Sequence, residues 1–176
     1  MSGGGNLRGG GTRRLATLAV LTAISLTIFI AEAQIPVPSF LPPGIKLGLA
    51  NIVTLFTMVV LGRRDAGIML FGRILLGSMF SGSFSAIMYS LGGGACAFLV
   101  MSIALAIVGD ELVWVVSVLG AIAHNLGQLT VAVLILGRID SIVVYGAMLI
   151  FAAVITGAFT GFCTGHLIAR FAPQRS

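Results

Sequence analysis

From Phe84 to Val108 the chain reads FSAIMYSLGGGACAFLVMSIALAIV, a run with no charge, longer than the roughly 20 helical residues that cross a hydrocarbon layer about 30 Å thick. Apolar residues do not alternate with polar ones along it, so it reads as a helix, and backbone facing lipid must satisfy its own hydrogen bonds. Working outward, charges and Gly/Pro punctuation mark further apolar segments near 14–35, 46–62, 65–80, 112–136 and 141–170. Of the 176 residues 58% are hydrophobic and 9% charged, and the mean hydropathy is +1.13. That is too apolar for one water-soluble core of this length. The expectation is an all-α membrane protein of about six transmembrane helices.

The domain organisation expected is a flexible, glycine-rich tail over 1–12, one transmembrane domain over 13–172 and a short tail over 173–176. Arg13-Arg14, an apolar run and Ala31-Glu32-Ala33 imitate a signal peptide, but the run exceeds the usual h-region of about 7–15 residues, so it is read as the first span. Basic residues set the orientation. With the N-terminus inside, Arg8, Arg13, Arg14, Arg63, Arg64, Arg170 and Arg175 lie at cytoplasmic ends, against Lys46 and Arg138 outside. Both termini are therefore expected in the cytoplasm, with the chain crossing the inner (plasma) membrane several times. The net charge of +5 does not imply nucleic acid, because the positives sit at helix ends and are not clustered with exposed aromatics. Cys96 and Cys163 fall within apolar segments and suggest neither a disulfide framework nor a metal site.

The connection over 34–44 holds four of the five prolines and almost no charge, which excludes a helix and suggests a segment folded over the bundle. Small residues recur at four-residue spacing in the last segment, Ala153, Gly157, Gly161 and Gly165, and in the first, Ala19 and Ala23. Such stripes let helix backbones approach closely. Internal packing is the expectation for the last helix; for the first, docking of a partner protein is the alternative.

Polar groups inside hydrocarbon are costly, so each needs a partner or a ligand. Arg73 lies mid-segment, and Gly120, His124 and Gln128 share one helix face with Asn125 beside them. Asn51 and Gly48 follow Lys46, and Ser81, Ser85 and Tyr89 form another series at four-residue spacing, as do Thr156, Thr160 and Thr164. Depth along the helices suggests an outward-opening polar pocket, floored by Arg73 and His124 and rimmed by Lys46, Asn51, Asn125 and Gln128, with Tyr89 a further candidate contact. The plainer account pairs Arg73 with Glu32, lets the threonines bond their own helix carbonyls and makes Tyr89 a filler. Lys46 and Arg73 outnumber Glu32, and surplus buried positive charge favours an anionic small-molecule guest.

No catalytic arrangement is visible. Paired carboxylates, a His/Cys metal cluster, a Gly-x-Ser-x-Gly elbow and a Gly-x4-Gly-Lys-Ser/Thr phosphate loop are all lacking, so the chain is read as a non-enzyme with no cofactor, and any ATP-driven motor must be another chain. No carboxylate is read at mid-membrane depth, which weighs against an independent proton-coupled carrier.

Four stretches, PGIKLGLANIVTL (43–55), GRILLGS (72–78), YSLGG (89–93) and GAIAHNLGQ (120–128), resemble the Gx transporter family, also labelled heptaprenyl diphosphate synthase component I. The resemblance implies an S-component-like six-helix bundle of the kind found in energy-coupling factor transporters, with a transmembrane coupling protein and ATPase subunits as partners. It also implies that Ala19 and Ala23 match the Ala-x3-Ala motif by which the first helix docks on the coupling protein. Under the synthase label this chain, which has five acidic residues and no Asp-Asp-x-x-Asp motif, would bind or move a prenyl substrate while a prenyl diphosphate synthase catalytic subunit does the chemistry.

Overall fold

The computed structural model describes residues 11–35, 48–81, 84–137 and 140–171. Among these, six helices follow one another and no strand occurs: α1 (Gly11–Ala33), α2 (Asn51–Val60), α3 (Arg63–Ser81), α4 (Phe84–Val108), α5 (Val113–Leu136) and α6 (Asp140–Phe171). Stretches in four of them, Gly11–Ala33, Ser85–Val108, Val113–Ile135 and Gly146–Phe171, are long and apolar enough to cross a membrane. These helices turn large apolar side chains outward, with Leu134 78% and Phe162 74% exposed. Lipid, not water, suits such a surface. The chain is an all-α membrane protein.

The segment expected at 46–62 yields a shorter helix. α2 has ten residues, about 15 Å of rise and half a hydrocarbon layer. Glycines with positive φ bracket it, Gly48 at +82° and Gly62 at +103°, a conformation that disfavours other residues. α2 touches each of the other five helices, so its backbone is enclosed by protein and it need not span. α3 carries Arg63, Arg64, Asp65 and Arg73, which keep it out of the apolar class. Its start is fastened to α1: Arg14 Nε donates to both oxygens of the buried Asp65 at 3.1 and 3.0 Å, and Nη2 adds a closer contact.

Close backbone approach sets the packing. A Cβ on Gly127 of α5 would lie 2.5 Å from the carbonyl oxygen of Gly92 in α4, so these helices meet backbone to backbone. On the other side of α5, a Cβ on Gly157 would lie 2.6 Å from Val118 Cα and one on Gly161 2.7 Å from Trp114 Cα. The small-residue stripe of α6 thus packs internally through these two glycines, whereas Gly165 faces open space. Thr160 and Ser117 share a hydrogen bond of 2.7 Å across the same seam. The three α6 threonines also bond carbonyls of their own helix, as expected. α1 lies on α3 with Phe29 against Gly77 and Thr22 near Gly72.

The bundle divides into two unlike halves. Leu55, Met58, Ala66, Met101, Val113 and Val116 form an apolar core where α2 ends and α3 and α5 begin. Charged and polar side chains gather at the opposite end of α2, where α1 ends.

Candidate functional site

Arg73 projects from the middle of α3 into that polar half and is 3% exposed. Its guanidinium carbon lies 5.8 Å from the centre of the Phe29 ring, within the cation–π range. Its Nε has no hydrogen-bond partner. Glu32, in the last turn of α1, is also buried, and its charge attracts Arg73 across a shared cavity. The carboxylate is held from a third direction: the backbone N–H of Gly48 donates to Oε1 at 2.5 Å and that of Leu49 to Oε2 at 3.1 Å. Both donors lie in the turn just before α2, at the end of the helix whose dipole favours an anion.

α5 supplies His124 and Gln128, one turn apart and both buried, and α4 supplies Ser90. Gly93 makes this approach possible, since a Cβ there would lie 2.8 Å from Gln128 Cγ and 2.9 Å from His124 Cε1. Together with Phe29, Glu32, Gly48 and Arg73 these side chains enclose a cavity with about 10 Å³ accessible, room for about one water molecule. Gly92 and Gly93 let α5 approach α4 closely, and the cavity lined by the described residues is small.

Of the residues singled out by sequence, Arg73, His124 and Gln128 come together on the cavity wall. Asn51 stands beside it, its amide nitrogen 3.1 Å from where a Cβ on Gly48 would sit, and neither of its side-chain polar atoms has a hydrogen-bond partner. Asn125 turns elsewhere: its Nδ2 donates to the Leu149 carbonyl of α6 at 2.9 Å, which makes it an interhelical tie. Tyr89 is buried but does not line the cavity. Lys46 lies outside the described residues. Ala19 and Ala23 are both exposed on α1. Sequence reasoning missed Phe29 and Ser90. The signals were present in the spacing of Phe29 one turn before Glu32, and in the position of Ser90 just ahead of Gly92-Gly93-Gly94.

Among the described residues no group of three or more His, Cys, Asp or Glu side chains could hold a metal ion. The cluster offers instead a fixed positive charge, a carboxylate, an imidazole, amides and an aromatic face in a water-poor setting. Such groups bind and orient polar solutes.

The fold and the cluster define a helical membrane protein with a charged cavity enclosed in one half of its bundle. A family model described as heptaprenyl diphosphate synthase component I matches residues 21–167, and the chain belongs to that family. The resemblance carried by the four sequence stretches pointed to the same family. Its description is of a component of a synthase, which agrees with a non-catalytic subunit. No curated relative and no solved structure matches the chain.

Proposed function

We propose that the chain is the substrate-binding membrane component of an uptake transporter of the energy-coupling-factor type, taking a small anionic or amphiphilic organic solute. The observation that carries this reading is the burial of Arg73 with Nε unbonded beside a cavity that also holds Glu32, His124 and Gln128. A charge in mid-bundle costs about 2.5–3.5 kcal/mol on insertion scales, and a role in binding explains its retention. In this reading all six helices form one bundle in the plasma membrane with both termini cytoplasmic, Arg14 and Asp65 at the inner end and the cavity toward the outer side. A reporter fused after Ser176 should be active only in the cytoplasm; periplasmic or external activity would refute the orientation.

Energy comes from other chains. Ala19 and Ala23 expose a small-residue stripe on α1, which supports docking of a transmembrane coupling protein there. Ala19→Leu and Ala23→Leu should cut recovery of that partner at least several-fold in mild-detergent pull-downs while leaving thermal unfolding unchanged. Undiminished recovery with both variants would reject the docking role.

The family description favours a second reading, in which the chain is the non-catalytic membrane subunit of a prenyl diphosphate synthase and presents the prenyl substrate to a catalytic partner. Mass spectrometry of proteins and small molecules that co-purify with the intact chain separates the two. ATPase and coupling subunits support uptake; a prenyl synthase without them supports the second reading and overturns the first.

A further inference from the structure

Glu32 is held in an unusual way for a carboxylate whose partner is an arginine. Its two oxygens are taken by consecutive backbone N–H groups, Gly48 at 2.5 Å and Leu49 at 3.1 Å, on a turn that leads directly into α2. Positive φ at Gly48 aims that turn. Meanwhile Arg73, 3% exposed on the same cavity, keeps Nε without a hydrogen bond, and buried Asn51 uses neither of its polar atoms. Buried donors left idle are costly, at about 1–3 kcal/mol each, and a carboxylate serving only as a counter-charge would be expected to use them. Arg73 Nε and Asn51 Nδ2 are thus buried donors that Glu32 does not use.

We propose that Glu32 is the internal occupant of a carboxylate-binding site formed by the Gly48 and Leu49 N–H groups with Arg73 and Asn51, and that a ligand carboxylate binds there by displacing it. Two neighbouring donors match the two oxygens of one planar group, and the accessible space of about 10 Å³ leaves no room for the ligand head beside Glu32. Displacement has a mechanical consequence. The Glu32 contact joins residues sixteen apart, tying the end of α1 to the start of α2, so its exchange for a ligand releases one helix from the other. This deepens the capture reading by naming the head group of the solute and the contact that its arrival breaks.

Acetate is the probe, being the Glu32 head group without its tether. In mild detergent at matched ionic strength, acetate at about 100 mM should raise the unfolding temperature of Glu32→Ala by roughly 2–4 °C over chloride. Wild type, whose site is filled from within, should show no such difference, and neither should Glu32→Ala/Arg73→Met. Should Glu32→Ala fail to fold, Glu32→Gln keeps the side-chain volume and should show a smaller acetate shift in the same direction. No acetate-specific shift in the folded variant, or an equal shift in wild type and the double variant, overturns the site. Stabilisation by inorganic phosphate in place of acetate overturns the carboxylate assignment. These outcomes are separate from the fate of the uptake reading, which falls on the absence of ATPase partners and not on the acetate response.

Discussion

Glu32→Ala should lower stability by about 3–5 kcal/mol, the range for breaking a buried pair and leaving one charge uncompensated. The loss has two sources. Arg73 keeps its charge without the carboxylate that attracts it, and the Gly48 and Leu49 N–H groups lose their acceptors. Adding Arg73→Met to this background should recover much of the loss, because it removes the stranded charge and leaves chiefly the backbone donors unmet, at about 1–3 kcal/mol. Arg73→Met alone should be milder than Glu32→Ala, since the carboxylate retains two backbone donors. Unfolding of the four proteins in one detergent measures this as a double-mutant cycle. A double variant destabilised by the sum of the two single changes would show that the two charges are not coupled.

The second large effect lies in the backbone seam between α4 and α5. Gly127→Ala places a methyl group 2.5 Å from the Gly92 carbonyl oxygen and 2.9 Å from its carbon, neither of which can rotate away. The helices must separate, at an expected cost of about 1–3 kcal/mol or more. Because His124 and Gln128 ride on the same helix, the cavity wall moves with them. Gly146→Ala is the control: its methyl meets only Leu129 Cδ2 at 3.7 Å, an ordinary contact, and alanine favours the helix by up to about 1 kcal/mol. Thermal unfolding should therefore fall for Gly127→Ala and hold or rise for Gly146→Ala. A Gly127→Ala protein as stable as wild type would deny that this contact limits the packing.

Much of the fold was legible because its signals are one-dimensional. Uncharged length gave the long helices, and the four-residue stripe of α6 gave its internal packing, though not that Gly157 and Gly161 would meet α5. The shortness of α2 was not legible, since enclosure by five neighbouring helices, and not composition, lets a ten-residue helix lie inside the bundle. At the site, helical spacing correctly put His124 and Gln128 on one face, and depth put Arg73 near them. Depth along an axis does not say which helix lies beside which. Asn125 therefore shared the predicted rim with Gln128, although its amide ties α5 to Leu149 of α6. Glu32 entered the sequence reading only as a rival partner for Arg73, because nothing in the spacing reveals that its carboxylate also receives Gly48 and Leu49. The small size of the cavity follows from glycines at 92, 93 and 127, whose role emerges only when two helices are brought face to face.

Capture of a solute at Arg73 is tested most directly by mass spectrometry of small molecules retained by the protein after mild-detergent purification, comparing wild type with Arg73→Met at equal yield and with both shown to be folded. Arg73 supplies the buried positive charge of the cavity among the described residues, and under the proposed capture role its removal takes away the group that would hold an anion there. The expected result is a small organic anion carried by wild type, reduced at least tenfold in Arg73→Met, with the ligand-dependent rise in unfolding temperature lost in parallel. Equal retention of the same molecule by a folded Arg73→Met protein, with the thermal shift intact, would contradict the assignment of this cavity as the capture site.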